Sequence, residues 1–563
     1  MTDPAGEGVS RPVHGAEVEE EGVRFSVWGP DIDGVSIRMG SREHRLASSP
    51  DGFWRGFVAG ARPGDPYWLV LPDGRALPDP SSRRQPQGVH GPSQVFDAGA
   101  YRWRHPLAGP ALEELIFYEV HVGTFTPEGT LDAAALRLAD LRDLGVTCVE
   151  LMPVQPFSGK RNWGYDGVAP YAVHEGYGGP PALQRFVDEA HGLGLAVCLD
   201  VVFNHLGPEG NYLSAFGPYF TKRHRTPWGD GINYDGEGSL AVRSYLLGAA
   251  LQWVRDFRID ALRLDAVHAI VDDSPRHFVS QLCEEVAGFA AASGRRIHVV
   301  AESDLEDRKV VDPPPRGWGC SAMWADDFHH AVHALLTGER HHYYADFGGM
   351  DRLERSLAEG FAFRDEPSAF RGKRWGSETS GLEPCRFVFC TQNHDQMGNR
   401  PRGERLAALI AFEALTPLAT LLALGPALPL LFMGEEYGED RPFLYFTSFA
   451  DPVLARAVSE GRKSEHIARV GNAEVPDPQA PETFRRSVLT HSRDGKYGEL
   501  RRHFRAMLQL RRRHARNIAT GWPMVSVAGT SVALRRPGLL VAANLGPDPA
   551  GGLPGFGWRV SEG

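Results

Sequence analysis

Four short stretches concentrate the residues able to do acid, base and nucleophilic chemistry. They are Asp200-Val201-Val202-Phe203-Asn204-His205, Arg263-Leu264-Asp265, Glu302 after the apolar run 297–301, and Gln392-Asn393-His394-Asp395-Gln396. Arg263 and Asp265 stand two apart in a segment whose Leu and Val residues read as a short buried strand, so both side chains leave it on one face. A guanidinium beside a carboxylate keeps that carboxylate ionised and aimed, as a nucleophile attacking a sugar carbon requires. Glu302 suits the complementary part, a carboxylic acid held protonated by desolvation and by neighbouring acids. Asp395 would grip ring hydroxyls and support the positive charge of an oxocarbenium-like transition state, with His205 and His394 donating to sugar hydroxyls and Asp200 bracing Arg263. Each residue taken singly has a structural explanation. Their joint order along the chain points to acetal cleavage by two carboxyls, one attacking the anomeric carbon and one protonating the leaving oxygen.

Such a set works only if strand ends bring it together. Apolar runs at 115–122, 146–154, 196–203, 261–267, 298–303, 321–325, 387–391 and 428–433 lack a polar face, as strands covered on both sides do. Helix-period segments lie between them at 132–144, 181–193, 240–257, 277–292 and 406–424. The fold class is therefore α/β, a (β/α)8 TIM barrel, in which function belongs at the C-terminal ends of the strands. A doubly wound sheet is the alternative, but it usually carries a Gly-rich phosphate loop after an early strand. Gly461-Arg462-Lys463-Ser464 imitates one only superficially, since Gly and Lys are not adjacent and no strand precedes it.

Ahead of the barrel, short alternating runs at 23–28, 35–39, 53–58 and 67–71 are punctuated by Gly, Pro and Asp in the manner of a small antiparallel β-sandwich. The expected domains are 1–100, a carbohydrate-binding-like sandwich; 101–517, the barrel; and 518–563, a small closing β-domain with strands at 524–527, 531–535 and 539–544. The basic helix at 497–516 is expected to turn its arginines to solvent.

Composition bounds the rest. The 563 residues are 42% apolar and 23% charged, in the soluble globular range, and 60 basic against 71 acidic residues give a net charge of −11. That balance offers no reason to expect nucleic acid or an anionic membrane as partner. Six cysteines without CxxC spacing read as buried free thiols of a reducing compartment, and the polar leader at 1–18 carries no secretory signal; a cytoplasmic location follows. The run 406–433 is broken by Glu413, Pro417, Gly425, Pro426 and Pro429, so it reads as a buried helix and strand and not a membrane span. His329-His330 and His341-His342 are adjacent pairs that point apart, and no EF-hand loop is present, so no metal and no cofactor are expected. Trp163, Tyr165, Trp228 and Trp324 are candidates for stacking on sugar rings.

The four strand ends resemble the signature regions of the alpha-amylase family of retaining glycoside hydrolases. The resemblance extends over nearly the whole length. It includes Pro78-Asp79-Pro80-Ser81-Ser82-Arg83, Tyr118-Glu119-Val120-His121-Val122-Gly123, Asn162-Trp163-Gly164-Tyr165-Asp166-Gly167, Gly403-Glu404-Arg405-Leu406 and Met433-Gly434-Glu435-Glu436-Tyr437-Gly438. Within the family it is most like the maltooligosyltrehalose trehalohydrolases. The resemblance implies Asp265 as nucleophile, Glu302 as acid/base and Asp395 as transition-state stabiliser, with Tyr165, His205, Arg263 and His394 lining the subsite of the attacked glucose. It implies hydrolysis of the α-1,4 bond next to a terminal trehalose, and functional coupling to an enzyme that forms such ends. The segment Trp324-Ala325-Asp326-Asp327-Phe328-His329-His330 is similar to the subgroup's pattern and makes Trp324, Asp327 and His329 candidates for the trehalose side. His268-Ala269 stands where many amylases carry Lys-His, which assigns His268 to altered acceptor-side contacts. The C-terminal β-domain is shorter than the family's closing domain. A glucan branching enzyme and a catalytically silent glycan-binding barrel are the competing readings.

Overall fold

Eight parallel strands close into a barrel: β1 (Phe117–Val120), β2 (Cys148–Leu151), β3 (Ala196–Val201), β4 (Ala261–Leu264), β5 (His298–Ala301), β6 (Ala322–Trp324), β7 (Phe387–Cys390) and β8 (Leu428–Phe432), with β8 pairing back onto β1. The computed structural model describes residues 13–470 and 474–563, so the first twelve residues of the polar leader lie outside the described residues. Apart from His298 at the start of β5, every residue of the eight strands is buried. That is the requirement of a sheet filled with side chains inside and jacketed by helices outside. The jacket includes α1 (Gly179–Gly192), α2 (Ser239–Asp256), α3 (Phe278–Ser293), α4 (Asp327–Thr337), α5 (Leu415–Leu424), α6 (Pro452–Val470) and α7 (Gly495–Arg513).

Register does the positioning. Asp200 on β3 lies level with Arg263 on β4 and, in a parallel ladder, shares its face. One step further, Asp265 N–H donates to Val201 O at 3.1 Å and Glu302 N–H to Leu264 O at 2.9 Å, so both acids stand just past their strand ends, one level above Arg263. Long segments rim this end. A hairpin (Phe220–Thr226 with Gly229–Ile232) follows β3, a second (Arg364–Ser368 with Lys373–Gly376) follows β6, and α6 follows β8. Gly461-Arg462-Lys463-Ser464 lies inside α6 and forms no phosphate loop.

Before the barrel, two antiparallel sheets face one another, one containing Gly15–Glu19, Gly22–Trp28, Ala47–Ser48 and Phe53–Ala59, the other built around Ser36–Met39 and Pro66–Val70. Phe25 and Tyr67 meet edge to face across them at 4.9 Å. This layer docks on the barrel through Tyr245, whose hydroxyl donates to Pro80 O at 2.7 Å. The chain closes with a four-stranded antiparallel sheet, Met524–Ala528, Ser531–Arg536, Leu539–Asn544 and Trp558–Glu562. The last strand escapes sequence reading because a Gly- and Pro-rich turn separates it from its partner.

Other expectations shift locally. The helix read at 132–144 is two, Leu131–Ala135 and Leu138–Leu144, and that at 406–424 breaks after Leu409 before α5 begins. The basic helix is not solvated throughout. Arg511 is fully buried and donates to the carbonyls of Ala423, Gly425 and Ala427 at 3.1, 2.9 and 2.6 Å, satisfying the end of α5 and the turn after it. All six cysteines are buried free thiols. Among the described residues no helix is long and apolar enough to cross a membrane.

Candidate active site

Arg263 organises the end of the barrel. Its side chain is 1% exposed, Nη1 donates to Asp200 Oδ2 at 2.7 Å and to Asp265 Oδ1 at 2.8 Å, and Nη2 donates to Glu302 Oε2 at 2.7 Å. Two carboxyls on the two arms of a single guanidinium fork are separated by little more than the width of the fork. The Trp324 ring lies 4.4 Å from the guanidinium carbon and supports it by a cation–π contact. Directly after Asp265 the chain turns through Ala266 at φ +38°, a left-handed conformation that costs energy in a non-glycine residue, and the Ala266 N–H donates to Glu302 Oε2 at 2.8 Å.

The two acids differ in proton affinity. Burial would push the Asp265 carboxyl up, but the charges of Arg263 and His205 and the Asn204 amide, whose Nδ2 donates to Asp265 Oδ2 at 2.6 Å, hold it below the usual carboxylate range. Glu302 is raised to about 8, by burial first and then by the charges of Asp265 and Asp395, with Arg263 opposing. One carboxyl is thus ionised and its neighbour protonated at neutral pH, the division that general-acid and nucleophilic roles require.

The flanking polar residues form one chain of bonds. Tyr165 donates its hydroxyl to Asp200 Oδ2 at 2.6 Å and meets His394 Nε2 at 2.8 Å. The Tyr165 ring stacks on that imidazole at 5.1 Å. Burial disfavours a charged His394, but contact with buried Glu119, which accepts from its Nδ1, outweighs this and raises it to about 9. Asp200 is raised to about 6 by burial, with Arg263 pulling against it. His205 Nε2 lies 2.9 Å from Tyr165 O and its ring stacks on Trp228 at 4.8 Å. Asp395 lies in the first turn of the short helix His394–Gly398 and accepts from Asn399 Nδ2 at 2.6 Å.

These groups line a cavity of about 660 Å³. Trp163, Tyr165, His205, Arg263, Asp265, His268, Glu302, His394 and Asp395 all border it, as does Trp228. Asp200 is buried behind Arg263 and does not border it. Within the segment 324–330 expected on the trehalose side, Asp326 and His330 line the cavity, whereas Trp324, Asp327 and His329 do not. The segment runs into α4, on which residues four apart share a face, so Asp326 and His330 turn to the cavity. Asp327 turns inward to accept from Ala362 N–H, and His329 is bonded to Thr391 O at 2.7 Å and Tyr344 at 2.9 Å. Asp326 is raised to about 7 by burial and by Asp395 and Asp304. Sequence reasoning missed Glu119 and Asn204, although both fell inside quoted motifs, and missed Asp304, Phe370, Arg371 and Arg462, which come from rim segments with no signal of their own. Among the described residues one group has the composition and spacing to hold a metal ion, His224, Asp235 and Asp273, none of which borders the cavity. Arg223 already lies 2.7 Å from Asp273 and 3.7 Å from Asp235 there.

Residues 88–225 match the family model for the alpha amylase catalytic domain. A malto-oligosyltrehalose trehalohydrolase of Rhizobium sp. (strain M-11) is 44% identical over 527 residues, 91% of this chain and 87% of that one. That of Mycobacterium tuberculosis is 42% identical, covering 93% of each chain. The chain belongs to the malto-oligosyltrehalose trehalohydrolase family. A 1,4-alpha-glucan branching enzyme of Xanthomonas euvesicatoria is 33% identical over 284 residues, only 44% of this chain and 37% of that enzyme. Among solved structures, one reported as an alpha amylase from Salmonella typhimurium superposes with a TM-score of 0.89 at 40% identity over 98% of this chain and 99% of that chain. A pullulanase from Paenibacillus barengoltzii, at 18% identity and TM-score 0.66 over 95% of this chain and 88% of that one, shares the fold.

Proposed function

We propose that this protein is a retaining glycoside hydrolase that cleaves the α-1,4-glucosidic bond adjacent to the terminal trehalose of maltooligosyltrehalose, releasing trehalose and a maltooligosaccharide. The observation that carries the catalytic reading is the Arg263 fork, which holds an ionised Asp265 and a protonated Glu302 side by side. In the first step Asp265 attacks the anomeric carbon while Glu302 gives its proton to the departing glycosidic oxygen, and trehalose leaves. In the second, Glu302, now a carboxylate, takes a proton from water, which displaces Asp265 and frees the maltooligosaccharide. Asp395 binds ring hydroxyls of the attacked glucose with the charged His394 beside it, and Tyr165 supplies a stacking face.

The choice of substrate rests on the trehalohydrolase relatives, which match over nearly the whole chain, including the rim that must recognise the leaving sugar. Asp326 and His330 take the places first assigned to Asp327 and His329 on the trehalose side. Such a substrate needs an enzyme that makes trehalose-capped ends, and functional coupling to one is part of this proposal. The shorter match to a branching enzyme supports the second reading, transfer of the glycosyl group to a sugar hydroxyl instead of water. Incubation with maltooligosyltrehalose and, separately, with amylose distinguishes them. Free trehalose from the first supports hydrolysis; new α-1,6 branches in the second without trehalose release reject it.

A further inference from the structure

Helix α6 lies outside the barrel, yet three of its residues, Val458, Arg462 and Glu465, border the cavity. Arg462 reaches the end of the short helix that carries Asp395. Its Nη2 donates to Gly398 O and its Nη1 to Asn399 Oδ1 at 2.9 Å, and Asn399 Nδ2 in turn donates to Asp395 Oδ1 at 2.6 Å. The guanidinium also lies 5.0 Å from the centre of the Tyr445 ring, which meets the Trp163 indole edge to face.

The order of donors is decisive. A side-chain amide has one accepting and one donating end, and left to itself it can present either. A guanidinium can only donate, so Arg462 claims the Asn399 oxygen and obliges the NH2 group to face Asp395. Were the amide reversed, its oxygen would meet a carboxylate oxygen and the bond would become a repulsion. The Asn399 bond is thus the side-chain contact that orients the Asp395 carboxyl. Space is equally restricted. A Cβ at Gly398 would fall 1.9 Å from the Trp163 ring, so this helix end and the cavity wall fit without slack.

We propose that Arg462 and Asn399 are a positioning pair for Asp395: Arg462, carried by a helix outside the barrel, fixes the orientation of the Asn399 amide, and the amide fixes the Asp395 carboxyl at the angle the transition state needs. Neither residue touches the reacting atoms. This rests on the role given to Asp395 above.

The test is a double-mutant cycle on purified full-length enzyme with maltooligosyltrehalose, using Asn399→Ala, Arg462→Met and the pair, with kcat and KM measured separately. Loss of a bond to a charged group predicts a fall in kcat of about ten-fold or more for each single variant. KM should change less, because the interaction matters most in the transition state. The double variant should be no slower than the slower single one, since both remove the same link. Arg462→Lys, still a pure donor, should retain more of kcat than Arg462→Gln, whose amide can present either end. That order separates orientation of Asn399 from mere packing of α6, and it stands even where Arg462→Met fails to fold. Losses that multiply in the double variant, an Arg462→Met enzyme within two-fold of wild type, or equal activity of the Lys and Gln variants would overturn the proposal. Asp395→Asn separates this outcome from failure of the parent reading: near-full turnover there removes the role of Asp395 itself, whereas an inactive Asp395→Asn beside fully active Asn399 and Arg462 variants removes only the positioning pair.

Discussion

Replacing Glu302 by Gln keeps the shape of the side chain and removes its ionisable proton. At a pKa of about 8, roughly nine in ten Glu302 side chains are protonated at pH 7. At the ordinary carboxylate value fewer than about one in a hundred would be, so the site raises the population of competent acid on the order of a few hundred-fold. The sign follows from the direction of the shift. Because the folded pKa is raised, the acid form persists through neutrality, and kcat/KM falls only as pH rises through about 8. The acidic limb belongs to Asp265, whose lowered pKa keeps it ionised until the pH drops below the usual carboxylate range. The assay is the pH dependence of kcat/KM for wild type and Glu302→Gln on maltooligosyltrehalose and on a maltosyl fluoride, whose leaving group needs no proton. Glu302→Gln should lose about 10²–10⁴ on the natural substrate and lose its alkaline limb. In kcat/KM, which reports the first step alone, fluoride release should fall by less than about ten-fold because that step needs no acid, whereas steady-state turnover of the fluoride falls further because Glu302 is also the base of the second step. Equal losses on both substrates, or a wild-type alkaline limb below pH 6, would refute the assignment and the electrostatic reasoning behind it.

Asp265→Asn should abolish turnover on both substrates, by roughly 10⁴ or more, because no leaving group compensates for a missing nucleophile; fluoride release at a tenth of the wild-type rate would contradict this. Arg263→Lys substitutes a point charge for a fork that spans Asp265 and Glu302. It should lower kcat by at least about ten-fold and move the acidic limb to higher pH as Asp265 loses its partner, and an unchanged limb would speak against Arg263 as the cause. Arg511→Met should cost about 3–5 kcal/mol of stability, since it strips a buried guanidinium from three carbonyls. Thermal unfolding would register that loss while kcat stays within two-fold. Gly398→Ala should impair kcat through the clash with Trp163, and a fully active variant would show that the helix end has room to move.

The sequence by itself determined the barrel and its chemistry. Short runs without a polar face read as strands buried on both sides, and their order along the chain placed Asp200, Arg263 with Asp265, Glu302 and His394 at the ends of the third, fourth, fifth and seventh strands. The two-residue step from Arg263 to Asp265 already implied the contact now seen at 2.8 Å, because side chains two apart on a strand share a face. What the sequence could not settle was direction on elements whose start was unknown. Asp326 and Asp327 differ by one position, and which of them meets the cavity depends on how α4 is rotated against β7, a packing outcome with no local signature. Tertiary structure also decided every contact between distant segments. Arg462 meets Asn399 across 63 residues and Glu119 meets His394 across 275, distances over which neither spacing nor periodicity carries information. The opposed proton affinities of Asp265 and Glu302 belong to the same class: both are buried carboxyls after apolar runs that share Arg263, and the Asn204 amide and His205 beside Asp265, against the charges of Asp265 and Asp395 facing Glu302, make one an anion and the other an acid.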